Sequence, residues 1–215
     1  MDVIERNFMR LLRSGTFGDD TAIEPMSQWK WNRLYQMSLM HGVTAFIYDG
    51  IMARDGEFFI NLTDEQRKTW KMSVEETEEK NRQHNILTAR LIEQLNHLNT
   101  RPILLKGQAI ATLYNHPLHR SCGDCDIFFP LPPQGKKADE WAKGNGQNVT
   151  STEKHVLQYQ WNDMKVEHHH RMIKLTNIML NKSLQSIVNS EIRCCDSTYV
   201  NIDGVKVETL PPTLN

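Results

Sequence analysis

The run Arg120-Ser-Cys-Gly-Asp-Cys-Asp-Ile-Phe128, continued by Phe129, sets two carboxylates, Asp124 and Asp126, one residue apart at the head of an apolar, strand-like segment. On a strand, residues i and i+2 face the same way, so the two acids share a face. Like charges that close repel, and each raises the other's pKa. A divalent cation relieves the conflict. Magnesium takes oxygen ligands and is usually held by one or two carboxylates together with substrate phosphates. A pair of such ions about 3.5–4 Å apart can activate a hydroxyl and stabilise a leaving pyrophosphate. This chemistry calls for a third carboxylate on a neighbouring strand. Glu167, in Lys165-Val166-Glu167-His168-His169-His170, is the candidate. Its alternation partner is His169, whereas Val166, His168 and His170 would point the other way.

A phosphate cradle lies upstream. Leu104-Leu105-Lys106-Gly107 reads as a strand entering a helix, and free N–H groups and the dipole at a helix N-terminus favour an anion. Gly107 would let backbone approach a phosphate, and Lys106 adds positive charge. Arg120, Ser121 and Gly123, just before the aspartates, are candidates for holding the same phosphates.

The elements that must position these groups form a helical half followed by a mixed half. Ile4, Phe8, Leu11 and Leu12 recur at helical spacing, and Trp31, Leu34, Tyr35 and Ser38 do so over residues 28–41, with Gly42 as a stop. A short helix is predicted over Thr44–Met52. Thr63-Asp64-Glu65-Gln66 is a capping box opening a long helix, whose stripe includes His84, Leu87, Leu91, Leu95 and Leu98. Ile103–Leu105 and Cys125–Phe129 read as buried strands, with a helix over Gln108–Tyr114 between them. Pro130–Lys137 reads as a loop before a short helix, Ala138–Ala142. Val156–Trp161 and Met164–His169 alternate around Asn162-Asp163, a hairpin pattern. Lys174–Ile192 returns to helical spacing. Thr198–Ile202 and Val205–Thr209 flank Asp203-Gly204, a favoured hairpin turn. The predicted fold is α+β, with a helical region over 1–99 and a small mixed β-sheet flanked by helices over 100–215.

The chain has 215 residues and a net charge of -1. That balance argues against coating nucleic acid through bulk charge. The charged start and the lack of a long apolar run point to a cytoplasmic protein without a membrane span. Four cysteines are too few for a disulfide framework.

The order L-L-K-G, then R-S-C-G-D-C-D-I-F, then V-E-H-H-H resembles the uncharacterised nucleotidyltransferases of the polymerase-beta-like superfamily, over roughly residues 100–172. The resemblance implies a nucleotidyltransferase core using magnesium or manganese. Asp124 and Asp126 take the places of the paired metal ligands, Glu167 that of the third carboxylate and His169 that of the motif histidine. Lys106 and Gly107 fall at the phosphate-side turn, where the superfamily more widely has Gly-Ser. It also implies an NTP substrate, with ATP the default. The acceptor is expected to be a small molecule, a sugar or a protein rather than long nucleic acid. Related chains run on into further helices, so a C-terminal helical region would be missing here.

Two rivals accompany this reading. One is a non-catalytic member that binds nucleotide or a partner. The other is a zinc-binding interaction module using Cys122 and Cys125, at C-x-x-C spacing, with His168, His169 or His170. The plainer expectation is that both cysteines fill space opposite the carboxylates, and that His168 and His170 belong to a partly exposed strand end. His155 is a further candidate for facing the site.

Overall fold

The computed structural model describes residues 1–152, 156–171, 178–194 and 197–210. The chain divides into two compact units: residues 1–82 with 114–121, and residues 83–113 with 122–215.

The first unit is helical. Helix α1 (Val3–Phe17) is opened by a reciprocal capping box between Asp2 and Glu5 and closed by Gly18 in the left-handed region. Helix α2 (Gln28–Met40) stops before Gly42, which also has positive φ. Helix α3 (Thr44–Met52) packs against α1 at very close range. A Cβ on Gly15 would strike the Phe46 carbonyl, and one on Gly50 would strike the Leu11 carbonyl, so the two glycines set the spacing. Ile4, Phe8, Leu11, Trp31, Leu34, Ile47 and Trp70 form the core. Helix α4 (Asp64–His97) begins at the predicted capping box: Thr63 N–H donates to Gln66 Oε1, and Gln66 N–H to Thr63 Oγ1. Its residues 64–82 belong to this unit and the rest to the second.

The second unit holds a mixed seven-stranded sheet of order β3-β4-β5-β2-β1-β7-β6. The strands are β1 (Ile103–Leu104), β2 (Asp124–Phe128), β3 (Gln147–Thr152), β4 (Val156–Trp161), β5 (Met164–His169), β6 (Thr198–Ile202) and β7 (Val205–Thr209). Strands β4–β5 and β6–β7 are the two predicted hairpins, and Asp203-Gly204 turns with positive φ at both positions. The pairing that brings the candidate carboxylates together is β2 with β5. These strands are parallel, with Asp124 opposite Lys165, Asp126 opposite Glu167 and Phe128 opposite His169.

Alternation then separates the faces. Cys125 and Ile127 of β2 and Phe129 just after it, with Tyr159, Met164 and Val166, enter the main core beneath Leu91, Ile92 and Leu95 of α4 and Ala138 and Ala142 of α6 (Pro132–Asn145). The other face carries Asp124, Asp126, Glu167 and His169. At its end Ile103 and Phe128 pack with Val188 and Ile192 of α7 (Ile178–Cys194).

Three elements depart from the sequence reading. Residues 132–137 are not loop but the first turns of α6. Prolines 132 and 133 lie at its N-terminus, where a missing N–H costs nothing. The helix predicted over Gln108–Tyr114 is α5 (Gly107–Ala111) and stops early, with Thr112 Oγ1 donating to the Ala109 carbonyl. Strand β3 carries a single apolar residue, Val149, among polar ones, too few for an alternation pattern. The first residues of the helix predicted over Lys174–Ile192 lie outside the described residues, as does His155.

Candidate active site

Parallel pairing in register brings Asp126 and Glu167 side by side, and alternation adds His169 to the same face. One ligand atom each from Asp126, Glu167 and His169 lie within 4.8 Å of one another. The Asp126 side chain is 1% exposed. His169 Nε2 donates to its Oδ1 at 2.8 Å, and Lys106 Nζ stands 2.9 Å from its Oδ2. Burial pushes the Asp126 carboxyl up, but the hydrogen bond from His169 and the contact with the Lys106 cation outweigh it and hold the group below its ordinary value. Asp126 is therefore a buried, ionised carboxylate. Glu167 Oε1 accepts from Lys165 Nζ at 2.7 Å and from Gln158 Nε2 at 2.8 Å, and its Oε2 lies 3.6 Å from His169 Nε2.

Asp124 sits at the mouth of the same strand face, half-buried, outside this three-residue grouping. Its charge reaches Lys106 and Lys165, whose amines are raised chiefly by their hydrogen bonds to Asp126 and Glu167. Lys106 has φ 29°, ψ −143°, and Gly107 follows at φ 51°. A positive φ is strained for a lysine. This turn carries Lys106 over the Asp126 carboxylate, and the five-residue α5 behind it is too short to offer a strong dipole. Gly123 is exposed at the start of β2 and lines a cavity of ≈ 350 Å³ with Gln158 and Lys165. Arg120 and Ser121 belong to the first unit, where Asn81 Nδ2 donates to the Arg120 carbonyl.

The histidine run divides by face. His168 is fully buried, not at an exposed strand end. Its Nδ1 donates to Asp139 Oδ1 at 3.1 Å, and its Nε2 accepts from the Tyr159 hydroxyl at 2.9 Å. That pattern is a neutral imidazole, in line with the lowering of its pKa by burial. His170 Nε2 donates to the other Asp139 oxygen at 2.8 Å. Burial pushes Asp139 up, yet the two histidine hydrogen bonds bring it down to about 2. A Cβ on Gly135, one turn before Asp139 on α6, would lie 2.6 Å from His170 Nδ1, so that glycine makes room for the ring.

The zinc arrangement does not assemble among the described residues. Cys125 Sγ is sealed in the core near Thr88 and Met164, and burial pushes its thiol up to about 12. Cys122 lies beside Gln108. Several contributors were hidden in the sequence. Gln158 and Lys165 are ordinary polar strand residues until the β4–β5–β2 register sets them against Glu167. Asp139 lay in a segment read as a helix with no chemistry. His84, counted in the apolar stripe of α4, has its pKa lowered by burial, against the Asp124 charge, which raises it.

Neither a curated protein nor a solved structure gives a significant match to the chain. The family described as "Uncharacterised nucleotidyltransferase" matches residues 27–213, a span that contains both aspartates, the parallel β2–β5 pair and the lysine turn. The chain therefore belongs to this nucleotidyltransferase family.

Proposed function

We propose that the protein transfers a nucleoside monophosphate from an NTP to a hydroxyl-bearing acceptor, with ATP the first nucleotide to test. The observation that carries this reading is the clustering of Asp126, Glu167 and His169 on adjacent parallel strands, in a chain of nucleotidyltransferase family membership. The two carboxylates make an oxygen donor set suited to magnesium or manganese, with His169 Nε2 kept as a hydrogen-bond donor to Asp126. Asp126 and Glu167 would hold the ion with Asp124 at the strand mouth, and His169 orients Asp126. Once bound, such an ion supplies positive charge to the transferring phosphoryl group.

The chain's own groups do the rest. Glu167 takes the proton of the acceptor hydroxyl. The oxygen attacks the α-phosphorus in line, the bond to the β-phosphate oxygen breaks, and pyrophosphate departs. Lys106 leaves Asp126 for the phosphates, exchanging one anionic partner for another. A small molecule, sugar or protein acceptor is favoured over long nucleic acid by the near-neutral charge.

A non-catalytic reading has one observation in its favour: Lys106 and Lys165 already neutralise Asp126 and Glu167. Pyrophosphate release separates the two. Incubation with ATP, magnesium or manganese and a panel of sugars and protein extracts is expected to release pyrophosphate from wild type and not from Glu167→Gln. ATP binding without release under every acceptor would favour the non-catalytic reading.

A further inference from the structure

Beyond the carboxylates, the second unit has a cavity of ≈ 590 Å³ whose lining the nucleotidyl-transfer reading has not used. It opens where β2 and β5 end. Phe128, in its wall, lies two residues past Asp126, about 6–7 Å along the strand, and pairs with His169. Ligands collect beyond the carboxyl ends of parallel strands, because the chain diverges there into loops and leaves a crevice.

The lining has a definite chemistry. His170, Arg171 and Lys182 supply basic side chains, and among the described residues no aspartate or glutamate lines the cavity. Arg171 and Lys182 are exposed, and neither forms an ion pair among the described residues. Asn181, Gln185 and Asn189 recur every four residues, so α7 turns one ridge of amides into the cavity. Its neighbouring ridge, Leu184, Val188 and Ile192, packs on Ile103 and Phe128. His170 is fixed from behind by Asp139 on α6. Backbone at the start of α6 offers little to an anion, since Pro132 and Pro133 have no N–H. Recognition must therefore come from the side chains.

We propose that this cavity is a binding site for a phosphate-bearing, hydroxyl-rich ligand. Arg171 and Lys182 take the phosphate as cations, and the amide ridge reads the hydroxyls, donating through N–H and accepting through C=O. The proposal deepens the nucleotidyl-transfer reading and rests on it for the ligand's role. The phosphate belongs either to the NTP or to a phosphorylated acceptor held beside the carboxylates.

The test is calorimetric titration with inorganic phosphate, ribose 5-phosphate and magnesium-ATP. The proteins are wild type, an Arg171→Glu, Lys182→Glu variant, and a Lys136→Glu, Lys137→Glu variant with the same charge change on exposed positions outside the cavity. The expected result is phosphate binding weakened at least about tenfold in the first variant and unchanged in the second, with thermal melting intact in both. If magnesium-ATP weakens in parallel, the cavity holds the nucleotide's phosphates. If only ribose 5-phosphate and phosphate weaken, it holds the acceptor. Equal weakening in both variants, no change in the first, or no binding by wild type would overturn the proposal. Asp126→Asn keeps the two readings apart. It should abolish metal-dependent ATP binding and leave phosphate binding in place. Full metal-dependent ATP binding in that variant would sink the carboxylate reading without touching the cavity.

Discussion

Lys106 and Asp126 hold the tension of the site. A buried carboxylate is costly without a partner. Lys106 supplies one, on a backbone turn that a lysine adopts only under strain. On the proposed metal reading, the same lysine would compete with a bound cation for Asp126. Replacing it with glycine suits the positive φ and removes the competitor. Lys106→Gly should therefore bind manganese about two- to fivefold more tightly than wild type in nucleotide-free calorimetry, the worth of one half-exposed ion-pair partner of about 0.5–1 kcal/mol. Unchanged or weaker binding would mean that Lys106 supports the site rather than guarding it. That Asp124 and Asp126 share a face, and Glu167 and His169 another pair on their strand, was legible in the sequence because alternation assigns faces without a fold. That Lys106 contacts Asp126 was not, since the contact depends on a turn geometry that no residue pattern encodes.

At the scale of elements, α6 is the instructive case. Its first turns read as loop because proline and glycine usually break helices. Here the prolines sit at the helix start, and Gly135 exists for the His170 ring rather than for a turn. Gly135→Ala should lower stability by about 1–3 kcal/mol, the usual cost of overpacking, because the Cβ meets a ring tied to Asp139. Gly144→Ala on the same helix meets nothing within 4 Å. It should raise stability by about 0.4–1 kcal/mol. Denaturant melts of the pair check both signs, and equal effects would refute the packing argument. The hairpins were legible to the residue because their turns and alternation are local. Strand order was not. The parallel β2–β5 pair joins residues some forty positions apart, and that adjacency was only a condition of the sequence reading.

For the whole molecule, each unit contains a histidine in a settled protonation state, and the two states differ. His119, in the first unit, points Nδ1 at Asp49 (2.7 Å) and Nε2 at Glu78 (3.0 Å). Both nitrogens must donate, so the ring is an imidazolium. Burial lowers its pKa, but the two carboxylates raise it further, to a net value above 6.5. The folded state then holds the proton more tightly than the unfolded chain. Its contribution is full below pH 6.5 and is lost as pH rises through the folded pKa. Asp139, in the second unit, has the opposite sign. Its pKa falls from 3.8 to about 2, so its contribution is full above 3.8 and is lost as pH falls towards about 2. Thermal melting against pH should show both limbs. His119→Gln should flatten the alkaline one and Asp139→Asn the acid one. A profile unchanged by either substitution would contradict these assignments. The helical-then-mixed order of the chain was readable from periodicity. The return of residues 114–121 to the first unit was not, because it rests on Asn81 and His119 contacts between distant segments.

The central claim is that Asp126 and Glu167 form a metal-dependent nucleotide site. Its most direct test is calorimetry of ATP binding with and without magnesium, on wild type and on Asp126→Asn, Glu167→Gln. Wild type should bind ATP only with the metal, and the double variant should lose that binding. Binding of equal strength in both proteins, or binding indifferent to magnesium, would contradict the claim.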